Sequence, residues 1–192
     1  MAGAVLTQGT NWRNVERAIG QLKAAQALSA RKLVNLRVWR LQRLIRSAGY
    51  FRQKAKRLQG LSRWYLSTYG ANVKRMFQTD TQTLRSALLQ LPGIGPETAD
   101  SILLYAGHRA VFVIDAYTRR IFRRHQLIDG QESYETIQRF VMDHLPEDPQ
   151  LFNEFHALLV AVGKRYCRRH DPDCAHCPLG EFPRRLEEIA DG

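Results

Sequence analysis

One carboxylate in this chain stands where it can do chemistry. In VFVIDAYTRRIFRR, Asp115 follows four apolar residues and opens a basic helical segment. Two readings hold for it. As an N-cap it accepts hydrogen bonds from the N–H groups of the first helical turn, a place that aspartate favours. As a reactive group in a partly dry pocket it activates a water or stabilises a cationic sugar. One side chain can do both.

The second feature is LLQLPGIGPETADSILLYAG, from Leu88 to Gly107. A helix ends at Gln90, LPGIG turns the chain, and Pro96 stands early in the next helix, where its missing N–H does no harm. Ala99, Ile102, Leu103 and Ala106 give that next helix an apolar stripe. Two glycines in the turn let the backbone approach a partner closely, with N–H groups exposed at a helix start. That is an anion site suited to a DNA phosphate. By itself GxG between helices is equally a plain αα turn. The basic runs RKLVNLRVWRLQRLIR, RQKAKRLQGLSR and RRIFRRH favour the phosphate.

The whole-chain charge points the same way. Twenty-nine Lys and Arg against eighteen Asp and Glu leave +11, an excess that gathers polyanions and releases their counterions on binding. The three cysteines crowd into CRRHDPDCAHC. An odd count in a chain without an export signal argues for metal binding over disulfides. The apolar runs are short and broken by charge, and MAGAVLTQGTNWRN has neither the basic start nor the cleavage site of a signal peptide. The expectation is a cytoplasmic chain that does not engage a membrane.

The elements that must position these groups read as helices almost throughout. Val15, Ala18, Ile19 and Leu22 share one face, and so do Phe51, Ala55, Leu58, Ser62, Tyr65 and Tyr69. Ser29, Asp80, Ser133 and Asp148 are placed to cap helices, and Gly49 to stop one. VFVID is the one strand-like run. The class is all-α. RRHQLIDGQES is the softest seam, with a turn at Asp129-Gly130. It divides a lobe over 1–125, holding the hairpin (88–107) and Asp115, from a lobe over 126–192 that ends in the cysteine-rich tail (167–177).

LPGIGPETAD, followed by VIDAYTRR with Asp115 eighteen residues after Glu97, resembles the endonuclease III superfamily of helix-hairpin-helix DNA glycosylases. AVLTQGTNWRNVERA is similar to that family's early helix, IRSAGYFRQKAKRL to its middle and FHALLVAVGKRYC…CAHC to its tail. The resemblance covers nearly the whole chain. It implies two helical lobes with duplex DNA bent across the cleft between them and a damaged nucleotide flipped out. Asp115 matches the catalytic aspartate. Leu91, Pro92, Gly93, Ile94 and Gly95 match the phosphate-binding hairpin, whose carbonyls in the family also hold a monovalent cation. Gln8 matches a polar residue that fills the gap left by the flipped base.

Three departures sharpen the expectation. Bifunctional members carry a sugar-attacking lysine where this chain has Glu97, and a carboxylate cannot form a Schiff base. GIGPETADSILLYA is closest to the 3-methyladenine branch, so the implied enzyme is a monomeric, monofunctional glycosylase acting on alkylated purines. The alternatives are a DNA-binding module without catalysis and a glycosylase/lyase that uses another amine. Second, the family's four-cysteine cluster motif is met by Cys167, Cys174 and Cys177, while Pro183 takes the fourth place. A 4Fe-4S cluster on three cysteines plus another ligand, no cluster, or zinc with a nearby histidine are the open choices. Third, the chain begins inside the family's early helix, without the preceding segment that supplies aromatics near the base pocket. Among the aromatic residues Trp39, Trp64 and Tyr105 read as core, and Trp12 and Tyr117 as candidates to stack on a base. His156, on an otherwise apolar helix, reads as structural.

Overall fold

The computed structural model describes residues 1–186. Among these every regular element is helical. Helices α1 (Ala2–Thr7), α2 (Trp12–Ala24), α3 (Ala30–Asn35) and α4 (Val38–Leu44) lead through a 3-10 turn (Arg46–Ala48) into the long α5 (Phe51–Tyr69). Then come α6 (Val73–Gln78), α7 (Thr81–Leu89), α8 (Pro96–Gly107), α9 (Ala116–Arg124), α10 (Tyr134–His144) and α11 (Pro149–Arg165).

Local chemistry sets most of the boundaries. The side chains of Asn11, Ser29, Asn72, Asp80, Asp115, Ser133 and Asp148 each accept a first-turn N–H, relieving a donor that the helix leaves unsatisfied. Gly70 ends α5 in the left-handed conformation, at φ 64°. The strand-like run does not become a strand. Val111, Phe112, Val113 and Ile114 are buried in an irregular segment leading into α9. They have no neighbouring strand to pair with, and Phe112 gives its carbonyl instead to Gln138 Nε2.

The chain divides into two compact units, Met1–Gly107 and His108–Gly192. The division expected at residue 125 falls instead at Gly107, because α9 packs along α11. Arg120 ties the two helices by donating to the carbonyls of Cys167 and Gly163. Asp115 therefore belongs with the cysteine tail and not with the hairpin.

In the first unit α5 is the spine, with α1, α3, α4 and α6 packed on it. Its predicted face is buried at Ala55, Leu58, Ser62, Tyr65 and Tyr69. Lys54 is buried too, wholly, and its Nζ donates to the carbonyls of Leu6 (2.9 Å) and Ala48 (2.6 Å). Burial first, and Arg57 second, lower its pKa to about 8. The two carbonyls belong to the ends of α1 and the 3-10 turn, so the amine satisfies acceptors that a helix C-terminus leaves open. In the second unit Phe112 packs edge-on against Phe152 and tilted against Phe155, and Phe122 packs on Phe140. No helix among the described residues is long and apolar enough to cross a membrane.

Candidate active site

The hairpin joins α7 to α8 in the first unit. Ile94 N–H donates to Leu91 C=O at 3.0 Å, closing the turn, and Gly95 C=O receives Ala99 N–H as α8 begins. Gly93 sits at φ +80°, which a residue with a Cβ adopts at a cost, and that Cβ would run into the Arg57 side chain. Ile94 is buried, whereas Pro92, Gly93 and Gly95 face solvent. The N–H groups of Gly93 and Gly95 have no acceptor among the described residues. Two open donors at the entrance to a helix are what an anion needs.

Gln8, at the end of α1, is drawn into this loop. Its Nε2 donates to Gly93 C=O (3.0 Å) and Thr98 Oγ1 (2.8 Å), and its Oε1 accepts from Arg57 Nη1 (2.6 Å). Both ends of the amide are engaged, so in this state Gln8 braces the hairpin. A monovalent cation here would rest on loop carbonyls, of which Leu91 and Gly93 already accept hydrogen bonds. Glu97 lies in the first turn of α8, exposed, where its charge suits the helix N-terminus.

In the second unit Asp115 caps α9 with one oxygen and leaves the other outside the cap. Its Oδ1 caps α9, accepting from Thr118 N–H at 2.8 Å and Thr118 Oγ1 at 3.0 Å. Its other oxygen lies 3.7 Å from His156 Nε2, and the Asp115 side chain is 14% exposed. A carboxylate that is half-buried, fixed in orientation and open at one oxygen can stabilise a nearby cation or polarise a water.

The comparisons with known proteins meet this geometry. The family model described as "HhH-GPD superfamily base excision DNA repair protein" matches residues 2–147. The chain belongs to this superfamily. Within it, this protein is a DNA repair glycosylase, close to the 3-methyladenine branch. It is 44% identical over 184 residues to a candidate DNA repair glycosylase of Methanocaldococcus jannaschii, covering 95% of this chain and 83% of that one. Against endonuclease III of Thermotoga maritima the identity is 29%, over 96% and 83% of the two chains. A crystal structure of the H. pylori 3-methyladenine DNA glycosylase bound to 1,N6-ethenoadenine superposes with a TM-score of 0.76 at 30% identity, over 85% and 83%. A non-covalent endonuclease III–DNA complex shares the fold, with TM-score 0.81 at 21% identity over 95% and 80%.

The HhH-GPD resemblance also implied a cluster on the tail. Cys167, Cys174 and Cys177 line one cavity of about 20 Å³ together with Arg124 and His125. Arg124 organises the loop, its Nη1 donating to Cys167 Sγ (3.2 Å) and Arg168 C=O (2.7 Å) and its Nη2 to Arg169 C=O (3.0 Å). Gly180 is required here, since a Cβ would meet the carbonyls of Cys174 and Cys177 at 2.5 and 2.9 Å. Pro183 offers its carbonyl, at 3.0 Å, to His125 Nδ1. Among the described residues no three His, Cys, Asp or Glu side chains come together closely enough to hold a metal ion. The residues present do not make the four-thiolate set that a cubane takes.

The aromatic candidates separate. Tyr117 packs on Gly163, where an added Cβ would lie 2.8 Å from its own Cβ, and Arg120 covers its ring at 5.1 Å. Trp12 is 48% exposed, with its indole N–H on Glu16 Oε1. Trp39 and Tyr105, which read as core, are exposed, while Trp64 is half-buried against Tyr69.

Two residues escaped the sequence. Tyr50 is 69% exposed, stands at φ +42°, and its ring lies 3.6 Å from where a Gly9 Cβ would be. A tyrosine in that backbone region is uncommon. The other is His156, read as structural and found against Asp115. Neither left a local signal, because each matters through a neighbour forty or so positions away.

Proposed function

We propose that this protein is a monofunctional glycosylase that hydrolyses the bond between deoxyribose and an alkylated purine flipped out of duplex DNA. The observation that carries this is a half-buried carboxylate with one oxygen outside its cap, Asp115, in a chain that has Glu97 where a lyase needs an amine. An alkylated purine is cationic, and so is already a good leaving group. As the bond lengthens, its electron pair goes to the departing base and positive charge grows on the sugar. Asp115 stabilises that charge and orients the water that adds to the sugar carbon. That water leaves its surplus proton to solvent. The kinship with a 3-methyladenine glycosylase whose structure holds an ethenoadenine supports a modified purine as the base.

The hairpin Leu91–Gly95 serves as the phosphate anchor, with Gln8 and the exposed Tyr50 as groups suited to meet bases. The protein acts on DNA as a monomer and in the cytoplasm. Lys54, the lysine whose pKa is lowered to about 8, is not placed to be the amine of a strand cleavage. It is wholly buried and bound to two carbonyls, so it cannot reach a sugar.

The test is a methylated duplex incubated with the protein and split into two assays. Release of free purine with no strand scission before alkali, and no adduct with abasic DNA under borohydride, is the expected result. A trapped adduct would return the protein to the lyases. No release from any alkylated duplex would leave a DNA-binding module.

A further inference from the structure

The two oxygens of Asp115 are treated differently. Thr118 holds Oδ1 with its N–H and its hydroxyl, which fixes the plane of the carboxylate. Oδ2 stands outside the cap and faces His156 Nε2 at 3.7 Å. Both side chains are nearly closed off from solvent, at 14% and 11% exposed. The imidazole is itself held in place: Phe112 meets it edge-on at 6.1 Å between ring centres, and Phe112 is packed in turn by Phe152 and Phe155. A buried imidazole aimed at the free oxygen of the reactive carboxylate is more than core filling requires.

We infer that His156 is a positioning residue for Asp115, directing its free oxygen and setting the acid limit of the reaction through its own proton. This rests on Asp115 being the reactive carboxylate. Burial lowers the proton affinity of His156 below that of a free histidine, and the charge of Asp115 partly opposes this. Around neutral pH the ring is therefore uncharged and leaves the full negative charge of Asp115 available to a cationic sugar. The separation of 3.7 Å is longer than an N–H···O hydrogen bond. In acid the ring gains a proton, the contact closes into an ion pair, and the carboxylate's charge is spent on His156 instead of the sugar. On the segment and helix packed against this part of α11 the ring meets Phe112 and Asp115, and Asp115 is the charged group that acts on it.

Two measurements on the full chain test this. The first follows the histidine rings by NMR across pH in wild type and Asp115→Asn, with His156 assigned by through-bond correlations and by its loss in His156→Gln. The His156 midpoint should move to lower pH in Asp115→Asn, because the charge that favours its proton is gone. Coincident curves overturn the pairing. This arm needs no activity, and it stands even where His156→Gln fails to fold.

The second is single-turnover base release from methylated duplex between about pH 5 and about pH 8. In His156→Gln the rate at the acid end, relative to its own neutral rate, should rise several-fold over wild type. The maximal rate should fall while the half-saturating duplex concentration holds. A histidine that only fills space predicts lower stability and an unmoved acid limb, and that result overturns the inference. A wild type that releases no base at any pH removes the glycosylase reading and leaves the first arm to decide the pairing.

Discussion

The two units of this protein differ most in charge. Residues 1–107 carry seventeen Lys and Arg with four Asp and Glu, a net +13, whereas residues 108–192 carry twelve and fourteen, a net −2. The unit with the hairpin holds the whole positive excess, and the unit with Asp115 is close to neutral. The difference shows in what becomes of an aspartate in each. Asp100, in the first unit, is wholly buried and gripped at both oxygens by Arg85, at 2.7 and 3.1 Å. Its charge is committed to structure. Asp115, in the second, has one oxygen in a cap and the other beside an imidazole.

If chemistry resides in the second unit and DNA holding in the first, substitutions on the two sides should fail differently. The largest effect is expected at Asp115. Asp115→Asn keeps the cap acceptor and removes the charge, so base release should fall by about a hundredfold or more while duplex affinity stays within a few-fold. Quench kinetics beside equilibrium binding check both halves. Equal rates in wild type and variant would break the assignment of chemistry to this unit.

How much of this could be read in advance depends on the distance over which each feature is decided. Asp115 and LPGIG were legible because their geometry is local, set by a cap to Thr118 and by a turn closed between Leu91 and Ile94. The helices were legible from one apolar face each, as Ala55, Leu58 and Tyr65 show. The run VFVI was misleading, since apolar β-branched residues mark burial and strand alike, and the absence of a partner strand decides between them. His156 was illegible. A histidine on an apolar helix acquires meaning only when the fold brings it to a carboxylate forty-one positions earlier.

The next effect, on stability alone, sharpens what the first unit depends on. Lys54→Ala leaves the Leu6 and Ala48 carbonyls without their donor and opens a cavity beneath α1. A loss of about 2 to 4 kcal/mol is expected in chemical denaturation. The pH dependence has a definite sign. The folded pKa, about 8, lies below the unfolded value of 10.5, so between them the unfolded chain binds the extra proton. The stability of wild type relative to Lys54→Ala should therefore rise as pH climbs through that window. A flat difference would mean the buried amine is no harder to charge than a free one.

Smaller again is the effect at the turn. Gly93→Val places a branched side chain at φ +80° and against Arg57, which also holds Gln8. If the turn meets backbone and not bases, binding should weaken about tenfold on every duplex alike. A changed preference among sequences would mean that the loop or Gln8 reads bases directly.

The smallest effect tests the charge comparison itself. Arg40 and Arg43 are exposed on α4 in the first unit, and Lys164 and Arg165 are exposed on α11 in the second. Each pair contains an arginine over an aromatic ring, Arg43 on Trp39 at 5.6 Å and Arg165 on Tyr166 at 5.1 Å, so the pairs match in kind. Neutralising either pair to glutamine removes the same formal charge from the whole chain. A response to net charge alone would make the two variants equal. A response to where the phosphates run would not, because every phosphate left without its cation lowers the slope of log affinity against log salt by about 0.9. The slope should fall by up to about 2 for Arg40→Gln with Arg43→Gln and hold for the α11 pair. Lys164 and Arg165 also face the negative end of α11, so their loss should cost a few tenths of a kcal/mol of stability, visible in a melt but not in the slope. Equal slopes in the two variants would mean that the +13 unit draws DNA near without tracking its backbone along α4.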